Sequence, residues 1–378
     1  MTILHISNDY SGSSVYMHLI KELDDLKVPQ IVYNPIRERK RINKNLIPFK
    51  LPESKIIYSM VLNNSMDRIL FRRKIKKIVK DIEEKIDLSN VKLIHAHTWY
   101  SDGGAAYILA KKFKIPYIVT IRNTDLNLFY KYLFHERGFG HKILKSACEI
   151  ILISPSYKNR LVKLKSVLNA LPDINNKVRV LPNGVDDFWI KNRFIKERQL
   201  KEGQPVRLLY IGKFNNGKNV VNLIKAVDKL NKQPNYRQYI LTIIGGGGDE
   251  DHKVKELLKD RKYIHYLGVI IDKEKIKDVF RKSDIFTMPS KSETFGLVYI
   301  EALLQSIPVL YTQNEGIDGF YNESIGEKVI NSSAHQIAFK INRIVENFSA
   351  YQFNVDEIAK NHNWHLIAKK YYNIYNSY

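Results

Sequence analysis

The chain has 378 residues, of which 44% are hydrophobic and 26% are charged, and this composition excludes a disordered or repetitive protein. The length exceeds one ordinary core, so two domains are expected. The formal net charge of +22 predicts an anionic partner, although part of the excess follows a general enrichment in Lys, Asn, Ile and Tyr. The single cysteine, Cys148, fits a reducing cytosol. The sequence shows no signal peptide and no apolar stretch of about 20 residues, so a cytoplasmic location is predicted.

Short apolar runs rich in β-branched residues alternate with segments of helical periodicity along the chain. This alternation predicts an α/β fold with two Rossmann-like, doubly wound parallel-sheet domains. We predict domains at 1–186 and 206–345, a charged linker at 187–205 and a C-terminal helical segment at 346–378. The predicted strands are Ile3–Ser7, Gln30–Tyr33, Leu93–His97, Tyr117–Ile121, Ile150–Ser154, Val178–Leu181, Arg207–Ile211, Tyr239–Ile244, Ile264–Leu267, Ile285–Met288 and Val309–Tyr311.

The first strand-to-helix loop contains Gly12 and leads into a helix that begins near Val15. Such a loop can bring backbone amides to an anionic ligand, and a plain connector with a serine N-cap is the alternative. Further along, His95 and His97 end a strand with both side chains on the same side. No nearby cysteine or carboxylate is placed to complete a zinc site, so no metal is predicted.

Two basic clusters lie in the first half of the chain, at 37–44 and at 68–80. The second carries seven Lys and Arg residues and no acidic residue, with apolar residues at helical spacing between Phe71 and Ile82. One interpretation is an ordinary amphipathic helix with a solvated basic face. The other is peripheral attachment to the anionic inner face of the cell membrane. No groove-reading motif accompanies the clusters, so nucleic acid is not a predicted partner.

A turn that suits a diphosphate follows the strand ending at Ile211. It contains Lys213 and Lys218 next to glycines, at the start of a helix. Two solvated lysines are the alternative in so lysine-rich a chain. After the next strand, the run Gly245–Gly248 permits close approach of a ligand to the backbone. Because this run is not a dinucleotide fingerprint in the first βα unit, NAD is not predicted.

Two glutamates, Glu293 and Glu301, lie eight residues apart around a Phe295-Gly296-Leu297 turn between a strand and a helix. Open α/β sheets bind ligands at such turns. Free amides of a helix that starts near Gly296 favour phosphate, and carboxylates accept hydrogen bonds from sugar hydroxyls. The pattern indicates a ligand with hydroxyls on both sides of a phosphate, as in a nucleotide sugar. A surface helix with two solvated glutamates is the alternative.

The stretch PSKSETFGLVYIEALLQSIP resembles the E-x7-E motif of GT4-family retaining glycosyltransferases, whose GT-B fold has two Rossmann-like domains facing a central cleft. The resemblance covers nearly the whole chain, through the Gly12 loop, HAH at 95–97, TIRNTD at 120–125, PNGVD at 182–186 and the tail helix. The family usually has Arg where Lys213 stands, His where Arg122 stands and Gly where Ser306 stands. The resemblance implies that the first domain binds the acceptor, the second binds the donor, and the segment 346–378 crosses back to the first.

The resemblance also implies roles for individual residues. Glu293 would hold the donor sugar, Glu301 the nucleotide ribose, and Lys213 and Lys218 the diphosphate. The implied catalytic residues are Glu293, His97 and Lys218, and the implied donor-binding residues are Gly12, Lys213, Lys218, Gly245, Phe295, Gly296, Leu297 and Glu301. Candidates for the acceptor or the cleft are Arg122, Asn123 and Asp125.

We therefore predict a hexosyl- or N-acetylhexosaminyltransferase that moves a sugar from a nucleoside diphosphate donor to a glycan or lipid-linked acceptor in bacterial surface polysaccharide or glycoconjugate synthesis. The donor is predicted to be a UDP-sugar rather than a GDP-sugar, and no cofactor or metal is predicted. Two alternatives remain open. One is a catalytically silent sugar-nucleotide-binding subunit, and the other is a non-hydrolysing sugar-nucleotide epimerase.

Overall fold

The structure, a computed structural model, describes residues 2–63, 67, 70–233, 237–321 and 325–378. The chain forms two compact units. The first comprises Met1–Ile153, Tyr157–Gly184 and Trp364–Tyr378, and the second comprises Ser154–Ser156 and Val185–Asn363. The chain thus leaves the first unit, builds the second and returns to the first with its C-terminal helix.

A parallel sheet of seven strands forms the centre of the first unit, in the order β3-β2-β1-β4-β5-β6-β7. The order reverses between β1 and β4, which makes the carboxyl ends of these two strands the switch point of the sheet. The inner strands are buried on both faces, as their apolar sequences predicted. The strands are β1 (Thr2–Ile6), β2 (Gln30–Pro35), β3 (Lys55–Ser59), β4 (Val91–Ala96), β5 (Tyr117–Ile121), β6 (Glu149–Leu152) and β7 (Val178–Val180).

The second unit contains a parallel sheet of six strands in the order β10-β9-β8-β11-β12-β13, with its switch point between β8 and β11. The prediction of two parallel α/β domains is confirmed. The strands are β8 (Val206–Gly212), β9 (Tyr239–Gly245), β10 (Ile264–Tyr266), β11 (Ile285–Thr287), β12 (Val309–Thr312) and β13 (Gly326–Val329).

The sequence analysis missed two strands, β3 and β13. Each is the last strand at one edge of its sheet. An edge strand has a partner on one side only and keeps part of its surface in water, so it needs fewer apolar residues. β3 accordingly keeps most of its side chains partly or fully exposed, and β13 carries Glu327 and Lys328.

Helices connect the strands in both units. In the first unit, α2 has its buried side formed by Phe71, Ile75, Ile78, Val79 and Ile82, as the apolar spacing predicted. The α-helices are α1 (Ser14–Asp25), α2 (Phe71–Lys85), α3 (Ser101–Phe113), α4 (Arg137–Ser146), α5 (Pro155–Val162), α6 (Lys165–Ala170), α7 (Ile174–Lys177), α8 (Asp187–Lys191), α9 (Val220–Asn231), α10 (Asp251–Leu258), α11 (Lys273–Lys282), α12 (Leu297–Leu303), α13 (Ala334–Glu346), α14 (Val355–Asn361) and α15 (Trp364–Tyr375).

The predicted linker, 187–205, is packed on the second unit. It begins with α8, whose Trp189 is buried against the ring of Phe280. Further along, the Arg198 guanidinium donates to the carbonyls of Gln305 and Ser283 at 2.8 and 2.6 Å. The charged composition of this segment therefore reflects solvent on one side of it rather than a free connector.

The C-terminal segment divides at residue 363. Residues 346–363, which we predicted to belong to the crossing segment, lie in the second unit. Only α15 and the residues after it belong to the first unit, where Trp364 and Ile367 share a core with Ile3 and Leu93. The helical spacing seen in the sequence begins at Trp364, because only from there on does the chain need an apolar stripe against the first sheet.

Candidate active site

In the second unit, the loops that follow β8 and β11 lie side by side. The two strands are hydrogen-bonded neighbours, so these loops occupy the switch point of the sheet. The Lys291 amide donates to the Gly217 carbonyl at 2.8 Å, and the Asn219 side chain donates to the Pro289 carbonyl at 3.1 Å. The lysine loop and the glutamate loop, which the sequence singled out separately, are therefore one structural feature.

Lys218 and Glu293 form an ion pair that joins these two loops. The Glu293 side chain is only 9% exposed, and its second carboxylate oxygen accepts the Thr294 amide at 3.0 Å. The Asn215 side chain accepts the Lys218 amide at 2.9 Å and fixes the short turn that carries the lysine. The pair keeps a cation and a hydrogen-bond acceptor in contact at the edge where an anionic, hydroxyl-bearing ligand would bind.

A turn after β12 supports the glutamate loop from a second side. The Glu315 carboxylate accepts the Glu293 amide at 2.9 Å, and the Gly316 amide donates to the Glu293 carbonyl at 3.1 Å. This support was missed in the sequence. No motif marks Glu315, because its role depends on the pairing of β11 with β12.

Glu301 lies on α12, which starts one residue after the predicted position. Gly296 is the N-cap of this helix and has a φ of 75°. The Glu301 side chain has Asp186 and Lys273 nearby, and these two form an ion pair at 2.6 Å. Burial raises the pKa of Glu301 to about 7, and the charge of Asp186 adds to this effect while Lys273 opposes it. Glu301 thus titrates near neutral pH.

Replacing Glu301 with glutamine should remove a pH dependence of stability. The folded protein holds a proton on this carboxyl up to about pH 7, whereas the unfolded chain releases it near 4.5. Wild-type stability should therefore fall, relative to Glu301→Gln, as the pH rises through this window. Urea unfolding at a series of pH values measures the difference. Glu346→Gln, on the end of α13, is the control, and a constant difference between wild type and Glu301→Gln would contradict the raised pKa.

The glycine loop after β9 touches the lysine loop. A Cβ on Gly245, whose φ is 142°, would lie 1.9 Å from the Gly212 carbonyl oxygen, so a side chain cannot be accommodated. The Phe214 amide donates to the Gly247 carbonyl at 2.8 Å. Lys213 lies between these contacts and is exposed. Three of the predicted donor-binding segments therefore meet at one edge of the second sheet.

Phe295 differs from the other predicted donor-binding residues, because its side chain points into the protein. It is 2% exposed and packs on Phe320 and His362, with ring centroids 5.4 and 5.5 Å away. The hydroxyl of Tyr321 hydrogen-bonds to His362 behind it. The Phe295 side chain supports the loop, and only its backbone is placed to meet a ligand. Leu297, two residues on, is partly exposed.

In the first unit, Asp125 ties together the loops after β4 and β5. Its buried carboxylate accepts the amides of Trp99, Tyr100 and Arg122 at 3.0, 3.2 and 2.9 Å. Such a carboxylate holds the backbone in place, so the environment of Asp125 favours a positioning role over the predicted contact with an acceptor. Asn123, next to this clasp, hydrogen-bonds through its side-chain oxygen to Asn127.

His5, His95 and His97 form a buried cluster on one face of the first sheet. β1 and β4 pair with His5 opposite His95, so the three imidazoles project on the same side. His5 Nδ1 lies 3.0 Å from His97 Nε2, and the two nitrogens of His95 lie 2.7 Å from the Tyr375 hydroxyl and 2.9 Å from Thr120 Oγ1. The sequence offered no third ligand for the HAH pair, and the structure adds His5.

A metal ion fits this cluster poorly. One nitrogen from each imidazole lies within 4.8 Å of the others, which is close enough for shared ligation. Both nitrogens of His95, however, already have hydrogen-bond partners. Burial lowers the pKa of His95 and of His97, and the neighbouring Arg122 charge acts in the same direction. We interpret the cluster as a network of neutral imidazoles beside a fixed cation, and the absence of a metal remains a prediction.

The loop that carries Gly12 is shaped by Asp9. A Cβ on Gly12 would lie 2.0 Å from Asp9 Oδ1, so the aspartate occupies the space that a side chain would need. α1 begins at Ser14, and its N-cap, Ser13, makes no side-chain capping bond. The serine-capped connector considered above is therefore not formed, and the loop owes its shape to Asp9.

A buried ion pair lies behind the same loop. Lys74, which the sequence assigned to the basic face of α2, points inward and donates to Ser101 Oγ at 2.8 Å. Nearby, the fully buried Asp102 accepts the Asn8 amide at 3.1 Å. Burial lowers the pKa of Lys74 and raises that of Asp102, and the attraction between the two groups opposes both shifts. The basic spacing of α2 concealed this inward lysine.

Both halves of the chain match known family models. Residues 11–187 match the model described as Glycosyltransferase Family 4, and residues 191–362 match the model described as Glycosyl transferases group 1. The chain belongs to the family 4 glycosyltransferases. The predicted enzyme class and family are thereby confirmed, and the two matches meet where the chain passes from the first unit to the second.

Individual relatives agree with this assignment. An uncharacterized glycosyltransferase of Methanocaldococcus jannaschii, MJ1178, is 26% identical over 357 residues, which is 92% of this chain and 89% of that protein. The sucrose-phosphate synthase of Thermosynechococcus elongatus superposes with a TM-score of 0.75 at 20% identity, over 100% of this chain and 98% of that one. Anabaena HepE, solved in complex with UDP-glucose, superposes with a TM-score of 0.63 at 16% identity over the full length of both chains. These structures confirm that the glycosyltransferase has the GT-B fold.

No helix in the described part of the glycosyltransferase is long and apolar enough to cross a membrane.

Proposed function

We propose that the glycosyltransferase moves a hexosyl or N-acetylhexosaminyl group from a nucleoside diphosphate sugar to a hydroxyl of a glycan or lipid-linked acceptor, with retention of the anomeric configuration. A UDP-sugar is favoured over a GDP-sugar as donor, in line with the UDP-glucose bound to the similar Anabaena protein. The proposed setting is the synthesis of a bacterial surface polysaccharide or glycoconjugate, in the cytoplasm at the inner face of the membrane.

The ion pair between Lys218 and Glu293 carries this proposal. A donor brings a diphosphate that attracts the ammonium and sugar hydroxyls that donate to the carboxylate. Both groups of the pair thus have a partner on the same ligand. Glu301, one turn into α12, offers a second acceptor for the ribose hydroxyls, and Lys213 offers a second cation for the diphosphate.

The chemistry required of these residues is electrostatic. Cleavage of the glycosidic bond leaves negative charge on the departing diphosphate, and Lys218 and Lys213 stabilise that charge without a metal ion. The departing phosphate oxygen then takes the proton of the acceptor hydroxyl as the new bond forms on the same face of the sugar. No separate nucleophile is assigned, and Glu293 holds the sugar rather than attacking it.

A donor screen tests the proposal. The purified protein should bind and slowly hydrolyse one class among UDP-, GDP- and ADP-sugars, in the presence of excess EDTA, and NMR of the released or transferred sugar should show the anomeric configuration of the donor. Inversion of that configuration would overturn the retaining mechanism. Loss of activity with EDTA that is restored by a divalent cation would overturn the metal-free one.

The same screen separates the two alternatives. A catalytically silent subunit would bind a nucleotide sugar without hydrolysis or transfer under any condition. An epimerase would return the nucleotide sugar with one inverted ring carbon and would need no acceptor. Either result would replace the proposed transfer reaction.

We further propose that the first unit docks on an anionic membrane surface. Of the predicted cluster at 68–80, Arg68 lies outside the described residues and Lys74 is buried. The exposed basic face of α2 consists of Arg72, Arg73, Lys76 and Lys80. In the cluster at 37–44, Arg39, Lys40 and Lys44 are exposed. The cationic surface is therefore smaller than the sequence indicated, but it is present in both clusters.

An exposed apolar patch lies beside the start of α2. The rings of Phe71 and Phe129 lie 5.7 Å apart, which places the segment around Phe129 next to this helix. That segment exposes Leu128 by 53%, Tyr132 by 59% and Phe134 by 71%. Large apolar side chains next to exposed cations are typical of proteins that insert side chains at the headgroup level of a bilayer.

Replacing Phe134 with serine should weaken binding to anionic vesicles by about tenfold, because one apolar ring no longer leaves water. Co-sedimentation with vesicles of phosphatidylglycerol and phosphatidylcholine measures the change. Phe339→Ser is the control, since Phe339 is 54% exposed on α13, in the second unit. Equal, salt-insensitive binding to anionic and neutral vesicles would contradict the docking proposal.

A further inference from the structure

Arg122 is held in a fixed orientation at the carboxyl end of β5. Its Nε donates to the His97 carbonyl at 3.2 Å, and its guanidinium carbon lies 4.6 Å from the centroid of the Tyr16 ring. These contacts use one of the five N–H bonds and one face of the guanidinium plane. Among the described residues, the two terminal nitrogens of Arg122 have no hydrogen-bond or ion-pair partner. The side chain is partly exposed, so these nitrogens can be reached by a ligand.

The carboxylates around Arg122 are occupied by other groups. Asp125, the nearest in sequence, spends its two oxygens on three backbone amides. Asp9 lies at the neighbouring loop and faces Arg41, with 3.7 Å between the charged atoms. Asp102 is attracted to Lys74 and holds the Asn8 amide. The positive charge of Arg122 is therefore not neutralised by a direct partner in its own unit.

The other polar groups next to Arg122 are uncharged donors and acceptors. The imidazoles of His95 and His97 are buried and neutral, and Tyr371 of α15 is a buried phenol. A partly buried cation in such surroundings gains most from an anion, because hydrogen bonds between two charged groups are about twice as strong as those between neutral groups. A guanidinium fork also matches the two oxygens of a carboxylate or phosphate better than a single hydroxyl.

We propose that the terminal nitrogens of Arg122 bind an anionic group carried by a substrate of the glycosyltransferase. The group is a carboxylate or a phosphate monoester, and Arg122 makes the enzyme selective for the charged substrate over its neutral analogue. Arg122 stands where the family usually has histidine, so this selectivity would be a property of this chain. The inference rests on the proposed function, because it assumes that a nucleotide sugar and a hydroxyl acceptor bind here.

The charge has two possible sources, and paired ligands distinguish them. In the donor arm, calorimetry compares UDP-glucuronate with UDP-glucose. In the acceptor arm, glucose 6-phosphate is compared with glucose in the presence of UDP. Wild type should bind the charged member of one pair about tenfold more tightly or better, and Arg122→Gln should abolish that preference while changing the affinity for the neutral member by less than about twofold.

Arg137→Gln is the matched control. Arg137 donates from Nε to the Tyr130 carbonyl at 2.9 Å and stacks on the Tyr130 ring at 4.8 Å, so it has the same geometry as Arg122 at another place. It should leave both preferences unchanged. A wild type without charge preference in either arm, or an Arg122→Gln variant that loses neutral and charged ligands equally, would overturn the inference alone. Failure of wild type to bind any of UDP, GDP and ADP would overturn the proposed function and the inference with it.

Discussion

Replacing Lys218 with alanine should lower kcat/KM for sugar transfer by about two to three orders of magnitude, the loss seen when one fixed donor to a developing negative charge is removed. Lys218 is the cation that Glu293 holds in place at the switch point of the second sheet. Without it, the departing diphosphate depends on Lys213 alone, which is exposed and solvated. The loss should appear mainly in kcat, because the charge develops after the donor has bound.

The control for this variant is Lys291→Ala. Lys291 is an exposed lysine on the adjacent loop, and its ammonium contacts the side chain of Asn216 instead of a carboxylate. Its removal should change kcat/KM by less than about threefold. Steady-state kinetics of the full chain and a thermal melt of each variant separate chemistry from folding. Wild-type turnover in Lys218→Ala, or an equal loss in both variants, would refute the assignment of Lys218.

Replacing Gly296 with alanine should destabilise the protein strongly. With φ at 75°, an alanine pays about 1–2 kcal/mol for the left-handed conformation. The added Cβ would also lie 2.5 Å from Cδ2 of Tyr299, a buried ring whose hydroxyl bonds to the Met288 carbonyl. Because the ring cannot move aside, overpacking should add about 1–3 kcal/mol.

Gly203→Ala separates the two contributions to this loss. Gly203 has a φ of 72°, nearly that of Gly296, but a Cβ on it would meet nothing within 4 Å. Urea unfolding should therefore show only the conformational cost in Gly203→Ala and a clearly larger loss in Gly296→Ala. Equal losses in the two variants would mean that the Tyr299 ring yields. If Gly296→Ala remains folded, it should also bind the donor more weakly, since Glu293 and Glu301 flank the altered turn.

Local spacing predicted the half of the site that lies in the second unit. Glu293, Gly296 and Glu301 follow one strand, and Lys213 and Lys218 follow another. Each group is positioned by its own strand-to-helix turn, whose composition is visible in the sequence. The contact between Lys218 and Glu293 could be anticipated only through the family resemblance, since it depends on β8 and β11 being neighbours although β9 and β10 lie between them in the chain.

The errors concern residues whose role depends on which way a side chain points. Lys74 was counted on a basic surface and Asp125 among acceptor contacts, yet both are buried. Phe295 was placed with the donor, although its ring packs beneath the loop. In each case the residue type and the local pattern were compatible with exposure. Packing of other elements against the residue decided otherwise.

The sequence by itself determined the α/β architecture, the family and the set of charged residues at the turns, because each of these follows from periodicity and from short motifs that the chain contains in one piece. Only the tertiary structure decided which charges are paired and which are not. Neutralisation depends on neighbours brought by strand order: His5 joins His95 and His97 through the pairing of β1 with β4, and backbone amides from two loops occupy Asp125. What is left after these pairings, the unpartnered fork of Arg122, is a property of the fold and not of any segment.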